Sequence, residues 1–153
     1  MANVEKSIEV KVPVHAAYDQ WTQFESFPQF MEGVKEVRQQ DDSHLHWKAD
    51  VAGEKEEWDA EITEQVPDQR IAWRSTSGAP NAGVVTFHPI SDNETKVMLQ
   101  LEAQPRSSSE KVGDILGILD RQVKKDLERF KDFIESRGGQ PTGGWRGEIK
   151  RDS

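Results

Sequence analysis

The sequence predicts an α+β domain, a curved antiparallel sheet of about seven strands wrapped around one long C-terminal helix, with two short helices after the first strand. Two patterns carry that expectation. Between Val34 and Ala103, turn signals recur at gaps of roughly ten residues, and apolar and polar side chains alternate between them, as in a meander of short strands. From Val112 to Ile134 apolar residues instead return every three or four positions, as on one face of a long helix. A sheet with one apolar and one charged face needs cover on a single side, and that helix supplies it.

In chain order, Val4, Ile8, Val10 and Val12 share one face of a half-buried strand, with Glu5, Ser7, Glu9 and Lys11 opposite and Lys6 as the single blemish on the apolar side. Pro13 ends the strand and is tolerated in the first turn of a helix. Val14, Ala17, Tyr18, Trp21 and Phe24 then follow helical spacing. Ser26 to Met31 forms a second helical turn, broken from the first around Pro28, and Gly33 closes the pair.

The meander is punctuated at Asp41-Asp42-Ser43, Ala52-Gly53, Pro67-Asp68, Gly78-Ala79-Pro80-Asn81 and Ser91-Asp92-Asn93. Leu45, Trp47, Ala49 and Val51 oppose His44, His46, Lys48 and Asp50. Trp58, Ala60 and Ile62 oppose Glu57, Asp59 and Glu61; Ile71 and Trp73 oppose Arg70 and Arg74. Val85 and Phe87 oppose Val84, Thr86 and His88, and Val97, Leu99 and Leu101 oppose Lys96, Met98 and Gln100. A β-bulge would flip the remainder of its strand.

Ser107 and Glu110 are spaced as a capping box at the start of the long helix, and Gly138-Gly139 provides its stop. From Ser108 to Arg137 that helix spans about 45 Å, enough to cross a sheet. Lys124, Lys125, Asp126, Glu128, Arg129 and Asp132 are assigned to its solvated face. The organisation expected is one domain over residues 1–137 and a flexible tail over 138–153, rich in Gly and charge, with Trp145 as its one docking residue.

Composition narrows the function. A chain of 153 residues suits one domain with a sizeable core. Five Trp and six Phe are more large aromatics than a disordered chain carries. The net charge of −8 disfavours binding to phosphate backbones and to anionic membranes, while leaving local basic patches open. The absence of cysteine removes disulfides, thiolate nucleophiles and Cys-based zinc sites. No signal peptide and no apolar run of about 18 residues is visible, so a cytoplasmic protein without membrane insertion is expected.

Recognisable catalytic groups are sparse. His44 and His46 lie on one strand face with Lys48 and Asp50, short of the three or four ligands zinc needs; His15 and His88 are isolated, and no metal or cofactor is expected. There is no Gly-x-Ser-x-Gly elbow, and Ser75, Ser77 and the serines at 107–109 fit turn or cap positions. Within the acidic run from Glu54 to Glu64, Glu57, Asp59 and Glu61 face water. Glu54 and Glu56 share parity with Trp58 and are the candidates for a pocket-mouth general base. Arg74, Arg106, Tyr18 and Ser75 are candidate donors for an enolate oxygen, with no pattern gathering them. The Gly78 to Gly83 stretch lacks the Lys-Ser/Thr ending of a phosphate loop and precedes a strand.

The aromatics say more. Trp47, Trp58, Trp73 and Phe87 fall on the inner faces of different strands, and Trp21, Phe24, Phe27, Phe30 and Met31 come from the short helices. Such rings suit dense packing and the lining of a hydrophobic site alike. Gly113 and Gly117, four apart on the long helix, leave either room for a ligand beside Ile115 and Leu116 or close packing on the sheet. The candidate ligand-binding set is Trp21, Phe27, Phe30, Met31, Trp47, Trp58, Trp73, Phe87, Ile115, Leu116 and Leu119.

Several strings agree in order with a known family. Ile8 to Val14 leading to Tyr18 and Trp21, then Phe24-Glu25-Ser26-Phe27-Pro28-Gln29-Phe30-Met31, Glu57 to Ile62 and Arg70 to Ser75 resemble the START-like (SRPBCC) superfamily, in its bacterial polyketide cyclase/dehydrase branch. The resemblance covers residues 3–137 and implies a helix-grip fold with a pocket between sheet and helix. The superfamily includes aromatic polyketide cyclases, quinone-binding proteins, lipid carriers and plant hormone receptors, so it implies no catalytic residue. The leading expectation is binding or transport of a hydrophobic small molecule such as a lipid, quinone or aromatic metabolite, with no nucleic-acid partner. The alternatives are a polyketide cyclase/dehydratase acting on a bound poly-β-keto chain, and a protein-interaction module with a filled core.

Overall fold

Seven antiparallel strands form one sheet in the order β1-β7-β6-β5-β4-β3-β2, where β1 is Ala2–Val10, β2 Val34–Gln39, β3 His44–Val51, β4 Glu54–Val66, β5 Arg70–Gly78, β6 Asn81–Ser91 and β7 Glu94–Ala103. The computed structural model describes residues 2–51, 54–103 and 112–150. Between β1 and β2 lie helix α1 (Val14–Trp21) and a 3-10 helix (Phe24–Gln29), and helix α2 (Val112–Ser136) follows the sheet. This is the expected curled sheet with a long helix laid against it. The capping box at Ser107 and Glu110 falls outside the described residues.

The alternation works as read on β1. Val4 and Val10 are buried, and Lys6 is on the same face because it reaches Asp120 of α2 at 3.0 Å. The blemish is thus an ion pair between sheet edge and helix. On α2 the inward stripe is Leu119, Val123, Leu127, Phe130 and Ile134, all buried. The helix stops where expected: Gly138 and Gly139 have φ of 67° and 76°, and their N–H groups donate to the carbonyls of Glu135 and Ile134 at 3.0 Å each. Among the described residues, no helix is long and apolar enough to cross a membrane.

On β4 the register to β5 shifts between Ile62 and Glu64. Glu56, Trp58, Ala60 and Ile62 are buried at even positions before the bulge, and Gln65 is buried at an odd one after it. The extra residue turns the strand over, as a bulge must.

Residues 140–150 do not form a free tail. The buried Gln20 amide accepts from Thr142 N–H at 2.8 Å and donates to Thr142 Oγ1 at 3.1 Å. Trp145 N–H donates to Thr22 Oγ1 at 3.0 Å, and Ile149 exchanges backbone hydrogen bonds with Gln65 at 2.7 and 2.8 Å. Arg146 pairs with Asp19 at 2.6 Å and Asp68 at 2.8 Å while lying 5.5 Å above the Tyr18 ring. The segment is a strap over α1 and the far end of β4. The low apolar content that suggested mobility is offset by these polar contacts.

Candidate functional site

The apolar faces of sheet and helix enclose a cavity of about 150 Å³. The short helices supply one end. The 3-10 helix turns Phe24 and Phe27 inward, and Trp21 meets Phe27 and Phe130 edge-on, with ring centroids 5.6 and 4.9 Å apart. The sheet supplies the floor through Leu45, Trp47 and Ala49 of β3, Trp58 and Ile62 of β4, Ile71 and Trp73 of β5, and Leu99 and Leu101 of β7. Leu119, Val123 and Leu127 of α2 close it.

The tryptophans are placed by register. Trp47 and Trp58 stand directly opposite each other on β3 and β4, and their rings stack at 5.7 Å with 9° between planes. Both indole N–H groups are buried with no acceptor among the described residues. Trp73 lies against Gly83, where an added Cβ would sit 2.6 Å from its Cζ2, and it donates from Nε1 to Asn81 Oδ1 at 3.2 Å. Glycine at position 83 therefore lets the third indole reach the cavity wall.

Polar groups border the cavity at one side. Glu56 is only 8% exposed, and Asp50, Gln122 and Asp126 lie nearby on the wall. Gln122 Nε2 donates to the Asp50 carbonyl at 3.0 Å, and Gly33 is small enough to make room for that amide. Burial pushes the Asp126 carboxyl up to about 7; Glu32 adds to the rise and Arg129 opposes it. The assignment of Asp126 to the solvated face of the helix is thereby corrected. It stands seven residues after Leu119, two turns on and slightly outward around the helix, so it borders the cavity. Asp50, Gln122 and Asp126 also border a second, charged cleft of about 390 Å³.

Of the residues expected to bind a ligand, Trp21, Phe27, Met31, Trp47, Trp58, Trp73 and Leu119 line the cavity. Phe30 and Phe87 are buried in the core instead, Phe30 against Phe130 at 5.4 Å and Phe87 against Tyr18 at 5.4 Å. Leu116 is 38% exposed and does not line the cavity. The side chains of Ile115 and Glu54, and the surroundings of Gly113, lie outside what the structure describes. Gly117 is half-buried and does not line the cavity; a Cβ there would meet only Arg121 Nη1, at 3.9 Å.

The candidate oxyanion donors are dispersed. Arg74 is exposed beside Glu61, Tyr18 is buried in the core, Ser75 accepts from Asn81 N–H at 3.1 Å, and Arg106 is outside the described residues. His46 is clamped between Asp59 at 2.6 Å and Glu57 at 2.5 Å, and His44 sits on Asp41 at 2.9 Å. The hydrogen bonds that the His46 ring donates to Asp59 and Glu57 raise its pKa, against the opposing effect of burial. Among the described residues no group of three or more His, Asp or Glu is arranged to hold a metal.

Comparison with known proteins places this geometry. The family described as polyketide cyclase/dehydrase and lipid transport matches residues 10–132. An uncharacterized 17.2 kDa protein of Streptomyces lincolnensis is 61% identical over 150 residues, 97% of this chain and 99% of that one. A crystal structure from Deinococcus radiodurans superposes with a TM-score of 0.71 at 26% identity, covering 90% of this chain and 99% of that one. The ZhuI aromatase/cyclase of Streptomyces sp. R1128 has the same fold at a TM-score of 0.72 and 16% identity, covering 94% and 98% of the two chains. A START superfamily protein from Mycobacterium smegmatis does so at 0.67 and 16%, covering 90% and 97%.

Proposed function

Because the chain belongs to the polyketide cyclase/dehydrase and lipid transport family, we propose that it binds or carries a small hydrophobic molecule in the cavity between sheet and helix. The observation that carries this reading is the cavity itself, about 150 Å³ walled chiefly by aromatic and aliphatic side chains. An apolar protein cavity of about 150 Å³ takes up benzene, whereas sites for drug-sized ligands run to roughly 300–1,000 Å³. The buried part of the ligand is therefore a single ring or short chain, held among Trp21, Phe27, Met31, Trp47, Trp58, Trp73 and Leu119. A filled core would favour an interaction module, and the cavity gives that reading no support.

One observation favours a second reading, cyclisation or dehydration of a bound keto compound. Asp126 borders the cavity with its carboxyl raised to about 7, where it can accept or return a proton near neutral pH. The size of the cavity favours binding over this reading, since a whole poly-β-keto chain does not fit it.

Native mass spectrometry of freshly purified protein, compared with its denatured mass, tests the proposal. The expected result is a bound hydrophobic compound released on unfolding, or uptake of one from a panel of alkylbenzenes, quinones and short fatty acids. Protein that is empty and refuses the whole panel would overturn it. A small diketone or β-hydroxy ketone added beside the panel and returned lighter by one water would move the reading to the cyclase/dehydratase.

A further inference from the structure

The wall between cavity and cleft is graded in polarity across α2. Moving outward around the helix, one row is Leu119, Val123 and Leu127, facing the cavity. The next is Gln122 and Asp126, which border both spaces. The outermost is Arg121, Lys125 and Arg129, spaced four apart on the rim of the cleft, with Lys35 across from them at the start of β2. Like charges four apart repel along a helix, so this row does not stabilise the helix that carries it.

Charge pairing leaves this patch positive. Arg129 is held by Glu32 at 2.7 Å and Lys35 by Asp50 at 3.7 Å. Arg121 and Lys125 have no carboxylate within ion-pair distance among the described residues, and Asp126 is the one acidic group of the cleft left to face them. In a chain of net charge −8 this is a local reversal of sign. The cleft offers about 390 Å³ of more open space beside the cavity.

Resting on the reading of the cavity as a ligand site, we infer that the ligand is a hydrophobic carboxylate. Its apolar end occupies the cavity, and its carboxylate lies in the cleft against Arg121 and Lys125. A neutral hydrocarbon uses only the first half of this site. A carboxylate uses both, gaining charge-assisted contacts with the exposed Arg121 and Lys125.

Isothermal titration calorimetry with ω-phenylalkanoates, from phenylacetate to 5-phenylpentanoate, each beside its primary amide, tests the inference. In the wild type the best acid should bind on the order of tenfold tighter than its amide. That advantage should shrink at high salt and fall severalfold in an Arg121→Gln, Lys125→Gln double variant, while the amides bind both proteins alike. Ala49→Leu, which fills the cavity wall, should weaken acids and amides together. Equal affinity of acid and amide, or an acid advantage that survives in the double variant, would overturn the inference while leaving the cavity reading intact. Failure of every acid and amide would remove the cavity reading, and the inference with it.

Discussion

Asp126 occupies a position where helical spacing from Leu119 calls for an apolar side chain, and its carboxyl carries the consequence. Its folded pKa of about 7 lies well above the ordinary carboxylate value. Between those two values the native state binds more protons than the unfolded chain, so stability falls as pH rises. The contribution is complete below about 4 and lost as pH passes the folded value near 7. Asp126→Asn keeps the site neutral throughout. The variant should match the wild type at pH 4 and below and exceed its stability by roughly 1–3 kcal/mol at pH 8–9, a range discounted for the partial exposure of the carboxyl. Urea unfolding across that range checks it, and a difference constant with pH would contradict the assignment. The heptad relation to Leu119 is a signal present in the sequence, masked by the charge of the side chain.

At the scale of elements, the regular pieces were legible and the irregular ones were not. Period-two runs marked the inner faces of β1, β3, β5, β6 and β7, because a strand buried on one side admits a single phase. The bulge on β4 left no such mark, and it is what buries Gln65 beyond Ile62. The strap was equally hidden. Its contacts are hydrogen bonds and ion pairs to residues far away in the chain, such as Thr142 to Gln20 and Arg146 to Asp19, and these impose no periodicity. Gly143 and Gly144 are part of the fit, since a Cβ at either would press on Gln23 or Asp19 at 2.6 and 2.9 Å. Ending the chain after Gly139 removes all of these contacts and uncovers Gln20 and Gln65. The expected cost is about 1–3 kcal/mol, read from the urea midpoint. An unchanged midpoint would show that the strap rests on the domain without stabilising it.

For the whole molecule, fold and cavity follow from one arrangement. A sheet too curved to be filled by its own side chains is closed by a helix, and rings from three strands and the short helices meet under that helix without quite filling the space. That Trp47, Trp58 and Trp73 share the inner face of the sheet was readable from alternation. Which rings reach the cavity was not, because Phe30 and Phe87 share its chemistry but point into the packed core, and Leu116 lies off the inward stripe. The charged cleft was invisible for a different reason: Lys35 of β2 and the cationic row of α2 are adjacent only once the chain is folded.

The central claim is that the space under α2 takes up an apolar ring. Thermal unfolding in toluene-containing buffer, for the wild type and for Ala49→Leu, tests it most directly. A ligand that binds only the folded state at about ten times its Kd adds roughly 1.4 kcal/mol. That should raise the wild-type Tm by about 3–6 °C and leave the variant nearly unmoved. A wild type that does not respond, or a variant that responds equally, would contradict it.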